Sequence, residues 1–172
     1  MDNFIHKSFT LNEINIRTIE KKDNNAVAAI IRSTLKEFGA NHPGTVYYDD
    51  STDHLFEVFS STPRSIYYVA EHDSVVIGGA GIFPSPGLPE GTCELVKMYL
   101  LPQARGIGLG KMLIQKCVDF ANGEGYSNIY LESMPELKKA LKIYEKFGFE
   151  YLTGPLGNTG HFGCELWMRK KL

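Results

Sequence analysis

Cysteine is scarce in this sequence: three in 172 residues, Cys93, Cys117 and Cys164. An odd, sparse set excludes the disulfide framework of a small secreted scaffold. Long apolar runs are missing too, and none approaches the roughly 18 residues that a membrane helix requires. The segment Met1–Lys7 lacks the apolar stretch of a secretory signal. Eighteen Lys and Arg against 20 Asp and Glu leave a formal net charge of −2. There is thus no general basic field of the kind that draws nucleic acid. Repeats and low-complexity segments are absent. These absences point to a cytoplasmic domain that binds neither membrane nor nucleic acid. The length suits a single domain spanning 1–172, with residues 1–12 as a flexible lead-in.

The apolar pattern predicts a first strand at Ile14–Ile19. A helix follows, with Asp23 or Asn24 as its cap and a stripe of Val27, Ile30, Ile31, Leu35 and Phe38. A short helix is expected near Thr52–Ser60. A hairpin then pairs Ser65–Glu71 with Val75–Phe83 across His72-Asp73-Ser74. Cys93–Leu101 reads as a strand closed by Pro102, and Leu109–Asn122 as the clearest helix. Ser127–Leu131 is a strand, Glu136–Phe147 a helix, and Phe149–Leu152 and Phe162–Met168 a final strand pair. Strands followed by strand–helix–strand–helix–strand predict a mixed α/β sheet with helices on both faces.

The chemistry is concentrated in Leu100-Leu101-Pro102-Gln103-Ala104-Arg105-Gly106-Ile107-Gly108-Leu109-Gly110-Lys111. A strand ends, three glycines follow at alternate positions, and a long helix starts. Glycines let a ligand approach the backbone, and N–H groups at the positive end of a helix suit an anion, a pyrophosphate best of all. Spacing excludes two such cradles. A phosphate-binding loop aligned on Gly110-Lys111 needs glycine and Ser/Thr where the chain has Arg105 and Met112. A dinucleotide fingerprint needs G-x-G-x-x-G, whereas these glycines alternate throughout.

The loop instead resembles the signature Q/R-x-x-G-x-G/A of the GNAT N-acetyltransferases, as Gln103-Ala104-Arg105-Gly106-Ile107-Gly108 or, two residues later, from Arg105 to Gly110. The segment Lys138–Phe149, with Ala140, Tyr144, Gly148 and Phe149, resembles the family's later A-x-x-x-Y-x-x-x-G-F motif, and Glu94–Leu100 resembles the strand before its loop. The two motifs lie in the family's order over about residues 75–150. One departure stands out: many members carry Asn where this chain has Leu137.

The resemblance implies a mostly antiparallel sheet of about six or seven strands with about four helices. It also implies direct transfer of acetyl from acetyl-CoA to an amine, without a metal. The pyrophosphate would lie on Gln103, Arg105, Gly106, Gly108, Gly110 and Lys111, with Arg105 adding charge, and the pantetheine along the backbone of Met98 and Leu100. Tyr144 would protonate the departing thiolate, unless it is a tyrosine packed on the sheet. Glu94, a lone carboxylate in an apolar strand, is the candidate base; the alternative is a solvent-facing residue or a structural partner of Lys97. A base is needed because an alkyl amine with a pKa near 10 is only ~0.1% neutral at pH 7.

The acceptor would lie among the first helices and the C-terminal hairpin, lined by Asn41, His42, Tyr47, Tyr48 and the loop Gly154–His161, including His161. The glycine-rich Gly154–His161 reads as a lid. His161 and Cys164 lack a second pair at zinc spacing, so no metal is expected. The reading is an N-acetyltransferase for a primary amine of a small or amino-acid-like molecule. The alternatives are a protein or peptide N-acetyltransferase, a user of longer acyl-CoA, or a non-catalytic acetyl-CoA-binding regulator. Homodimers are common among such enzymes.

Overall fold

The computed structural model describes residues 10–172. Most of the lead-in expected over residues 1–12 lies outside them; its last part enters a 3-10 turn, Leu11–Glu13, that sets Leu11 beside Gly108.

Seven strands form one sheet: β1 (Asn15–Thr18), β2 (Ile66–His72), β3 (Val75–Phe83), β4 (Thr92–Leu100), β5 (Asn128–Ser133), β6 (Glu150–Tyr151) and β7 (Leu166–Lys171), in the order β1-β2-β3-β4-β5-β7-β6. Every pairing is antiparallel except β4 with β5. The helices are α1 (Asn24–Glu37), α2 (Leu55–Ser61), α3 (Leu109–Gly123) and α4 (Lys138–Lys146). The expected mixed sheet with helices on both faces is what the chain forms.

Two apolar clusters, one on each face, hold the layers together. On one face, Val27, Ile30, Ile31 and Leu35 of α1 and Leu55 and Phe59 of α2 pack with Tyr67 and Val69 of β2. On the other, Leu109, Leu113, Ile114 and Cys117 of α3 and Leu141 and Tyr144 of α4 cover Cys93 and Leu95 of β4 and Ile129 and Leu131 of β5. Burying one such aliphatic side chain contributes about 1.5–3 kcal/mol, more than the ~1 kcal/mol of a helix cap. Packing therefore fixes α1 without the cap expected from Asp23 or Asn24. Asp23 instead binds Arg17 at 2.7 Å, and the Asn24 side chain accepts the Phe56 N–H at 2.8 Å.

Several boundaries also differ; α2, for one, begins at Leu55 rather than Thr52, after a 3-10 turn over Asp50–His54. The last strand begins at Leu166 rather than Phe162, because Phe162 and Gly163 form a turn closed by the Cys164 N–H on the His161 carbonyl at 3.1 Å. Helix α4 begins at Lys138, two residues later than expected, with Leu137 at its N-cap.

Gly79 shapes the site from a distance. A Cβ there would come within 2.7 Å of the Tyr67 ring. Its absence lets Tyr67 lie flat on β3 and donate its hydroxyl to the Lys97 carbonyl at 2.8 Å, pinning an irregularity in β4.

Candidate active site

The glycine loop enters α3 as the spacing predicts. Gly106 and Gly108 have φ of 79° and 93°, a conformation that a side chain resists, and Gly108 is the N-cap of α3. Beyond Arg105, whose N–H bonds the Pro102 carbonyl, the chain turns its amides outward. The next backbone bond is from Met112 to Gly108. The amides of Gly106 to Lys111 find no acceptor among the described residues. They converge where the dipole of a 15-residue helix is positive. A Cβ built on Gly106 meets nothing within 4 Å, so the space in front of the loop is open. The loop therefore fits a pyrophosphate. Arg105 is placed differently from the expectation that it adds charge there. Its guanidinium spans both oxygens of Glu37 on α1 at 2.7 and 2.8 Å, and its Nε holds the Leu100 carbonyl at 3.0 Å. Gln103 lies exposed in the preceding 3-10 turn, and Lys111 is exposed on α3.

Next to the loop, the sheet opens. Strands β4 and β5 pair only over Thr92–Glu94 against Asn128–Tyr130, after which they splay. The Leu101 N–H donates to Ile77 on β3 at 2.9 Å. Alternation along the strand therefore turns the backbone of Met98 and Leu100 into the splay. These are the two residues expected to hold the pantetheine. Tyr144 reaches the same place from α4: its ring is buried against Phe149, and its hydroxyl lies 3.9 Å from the Met98 sulfur. Burial pushes its phenol well above the ordinary tyrosine range. Leu137 lines the cavity on the other side of the splay, so the position where many family members carry Asn is here an apolar wall.

A β-bulge organises the opposite face of β4. The register shifts between Gly79 and Gly81, and Lys97, at φ 50°, is the extra residue. Cys93, Leu95, Met98 and Leu100 face α3, while Glu94, Val96 and Tyr99 face α1 and α2. On that second face lies a cavity of about 190 Å3 whose polar wall gathers Asp49, Glu94, Lys97, Glu132, Thr159 and His161.

Its carboxylates and cations are interlinked. Asp49 Oδ2 accepts from Lys97 Nζ at 3.2 Å and lies 2.8 Å from His161 Nε2. Glu132 accepts from Tyr130 and Thr159, each at 2.8 Å, and faces His161 Nδ1 at 3.6 Å. Burial would lower the His161 pKa, but the bonds to Asp49 and Glu132 outweigh it and raise it to about 9, so the ring is cationic at neutral pH. Burial likewise lowers Lys97, with Asp49 opposing. Glu94 is 4% exposed, and burial raises its pKa to about 7 against the opposing bond from Ser85 Oγ to Oε2. Its Oε1 has no hydrogen bond among the described residues. A carboxyl that titrates near neutrality beside a cavity is suited to moving a proton. One donor atom each from Glu94, Glu132 and His161 fall within 4.8 Å, a set a divalent cation could bridge. The hydrogen bonds described account for the geometry of Glu132 and His161 without one.

The structure brings Glu94 and His161 into one cavity but leaves Tyr47 and Tyr48 out of its wall. Their 3-10 turn instead turns Thr45, Val46 and Asp49 inward, and Tyr48 is largely exposed. Asn41 and His42 do not line it either. Sequence reasoning missed Asp49, Glu132 and Ser85, reached Thr159 only as part of the Gly154–His161 loop, and gave Lys97 only a structural role. Lys97 and Glu132 carried a usable signal, since each is a charge within an apolar strand. No helix among the described residues is long and apolar enough to cross a membrane.

Comparison with known proteins bears on what this geometry is for. A sequence model of the acetyltransferase (GNAT) family matches residues 27–149. An uncharacterised N-acetyltransferase of Escherichia coli K12, YjgM, is 39% identical over 158 residues, covering 91% of this chain and 94% of that protein. An uncharacterised N-acetyltransferase of Schizosaccharomyces pombe is 26% identical, over 80% of this chain and 85% of its own length. Among solved structures, a GNAT-family acetyltransferase of Staphylococcus aureus Mu50 superposes with a TM-score of 0.80 at 18% identity, over 92% of this chain and 98% of that one. The PaiA N-acetyltransferase of Thermoplasma acidophilum, solved in complex with coenzyme A, gives 0.72 at 20% identity, over 92% and 99%. With the motif residues, the fold and a family match over more than half its length in agreement, this chain belongs to the acetyltransferase (GNAT) family.

Proposed function

We propose that the protein transfers acetyl from acetyl-CoA directly to the primary amine of a small or amino-acid-like acceptor. The observation that carries this reading is the sequence of sites along β4. Unpaired loop amides at one end lead past the open strand edge at Met98 and Leu100 to the buried carboxyl of Glu94.

When bound, acetyl-CoA supplies an acetyl group activated as a thioester. The amides of Gly106–Lys111 would hold its diphosphate, and the outward backbone of Met98 and Leu100 its pantetheine. Glu94, half ionised near pH 7, takes a proton from the acceptor ammonium and leaves a neutral amine. Ser85 orients that carboxyl through Oε2 and leaves Oε1 facing the cavity. Tyr144, on the opposite face of β4 with its hydroxyl 3.9 Å from the Met98 sulfur, would supply the proton that the departing thiolate takes up.

The test is thermal unfolding with and without acetyl-CoA, CoA, ATP and NAD, followed by thiol release against a panel of amines. Binding at a hundredfold excess over Kd stabilises by ~2.7 kcal/mol. The midpoint should rise with acetyl-CoA and CoA alone. A midpoint that does not move at millimolar acetyl-CoA would sink the proposal.

A further inference from the structure

Lys97 is a buried cation that the mechanism above does not use, and it narrows the acceptor. In an unbroken strand, residues three apart point to opposite faces. The bulge in β4 instead brings Lys97 and Glu94 into one cavity. The Lys97 side chain is 9% exposed, and its ammonium has one protein acceptor, Asp49 Oδ2 at 3.2 Å, which it shares with His161. An ammonium carries three donors. Two of those on Lys97 find no acceptor among the described residues. Glu94 is the counterpart: Oε2 takes the Ser85 hydroxyl, and Oε1 takes no hydrogen bond from the described residues.

The cavity thus offers spare donors at one point and a spare acceptor at another. A simple alkylammonium satisfies Glu94 but leaves the spare donors of Lys97 unmatched, where desolvation makes an unpartnered charge costly. A zwitterion satisfies both ends, its ammonium at Glu94 and its carboxylate at Lys97. Val58, Phe59 and Phe83 wall the rest of the cavity and suit an apolar substituent.

We infer that the acceptor is an α-amino acid with an apolar side chain, its amine facing Glu94 and its carboxylate bound by Lys97. This rests on the acetyltransferase reading above. Lys97 becomes a specificity-determining residue that distinguishes an amino acid from the amine of the same side chain.

The experiment pairs leucine with isoamylamine, phenylalanine with phenethylamine, and methionine with 3-(methylthio)propylamine, each with acetyl-CoA and thiol release as the readout. Wild type should show kcat/KM at least tenfold higher for each amino acid than for its amine. Lys97→Met should shrink that ratio at least tenfold, chiefly through the KM of the amino acid. The double variant Asp49→Asn, Lys97→Met removes both partners of the buried pair and should shrink it likewise, which covers the case in which the single variant misfolds. A wild-type preference for the amines, or an unchanged ratio in the variants, overturns the inference while leaving the acetyltransferase reading in place. Absence of thiol release with every acceptor overturns both.

Discussion

His161 Nε2 lies 2.8 Å from Asp49 Oδ2, across 112 positions of sequence. The contact closes the C-terminal loop over the segment that follows α1, and the cavity lies beneath it. The His161 pKa of about 9 stands above the ordinary 6.5, so the stabilisation from this link is complete below pH 6.5 and is lost as pH rises through 9. The thermal midpoint should therefore fall between pH 7 and 9.5. Asp49→Asn should flatten that fall and raise the acceptor KM, with acetyl-CoA affinity unchanged. An equally steep fall in the variant would assign the pH dependence to other groups.

Glu94→Gln should separate activity from stability. The carboxyl titrates near 7 when buried and near 4.5 in the unfolded chain, so folding favours its protonated form. That contribution is complete below pH 4.5 and is lost as pH rises through 7. The glutamine variant should lower kcat about 100-fold or more and abolish an acidic limb near pH 7 in the rate profile. Above pH 7.5 it should be more stable than wild type, by up to about 3 kcal/mol. Both are read from pH–rate curves and denaturant midpoints at pH 5 and pH 8.

Tyr144→Phe removes a hydroxyl whose one described contact is a sulfur at 3.9 Å, so the fold should lose less than about 1 kcal/mol. Turnover should drop at least tenfold while acetyl-CoA affinity holds, as titration calorimetry and steady-state kinetics would show. Unchanged kcat would remove Tyr144 from the chemistry.

Gly106→Val tests the cradle. Its Cβ would meet no protein atom within 4 Å, so the damage is confined to a strained φ of 79°, about 1–2 kcal/mol, and to the space reserved for the ligand. Acetyl-CoA affinity should weaken at least tenfold in a folded protein. Normal affinity would mean that the diphosphate lies elsewhere.

Much of this was legible in the chain order. The α3 stripe and the alternate glycines before it mark a strand–loop–helix turn with positive-φ glycines, because glycine conformation and helical spacing are local properties. Tyr144 and Gly148 could be placed for the same reason: helical spacing and a stop at glycine are read along the chain. Tyr47 and Tyr48 could not, since which residues of a 3-10 turn point inward depends on the helix packed above it.

Residue type and short-range spacing are enough to place the main elements, the glycine loop before α3 and the lone carboxylate in β4. The cavity exists only once the chain is folded. Asp49, Glu132 and His161 come from three distant segments, and their charges have meaning only in contact. The bulge at Lys97 is the clearest instance. Strand alternation read along the sequence places Lys97 and Glu94 on opposite faces. Pairing with β3, fixed by the Tyr67 hydroxyl on the Lys97 carbonyl, inserts one residue and turns the lysine into the cavity. Register is a property of two strands together, so one strand read alone does not contain it.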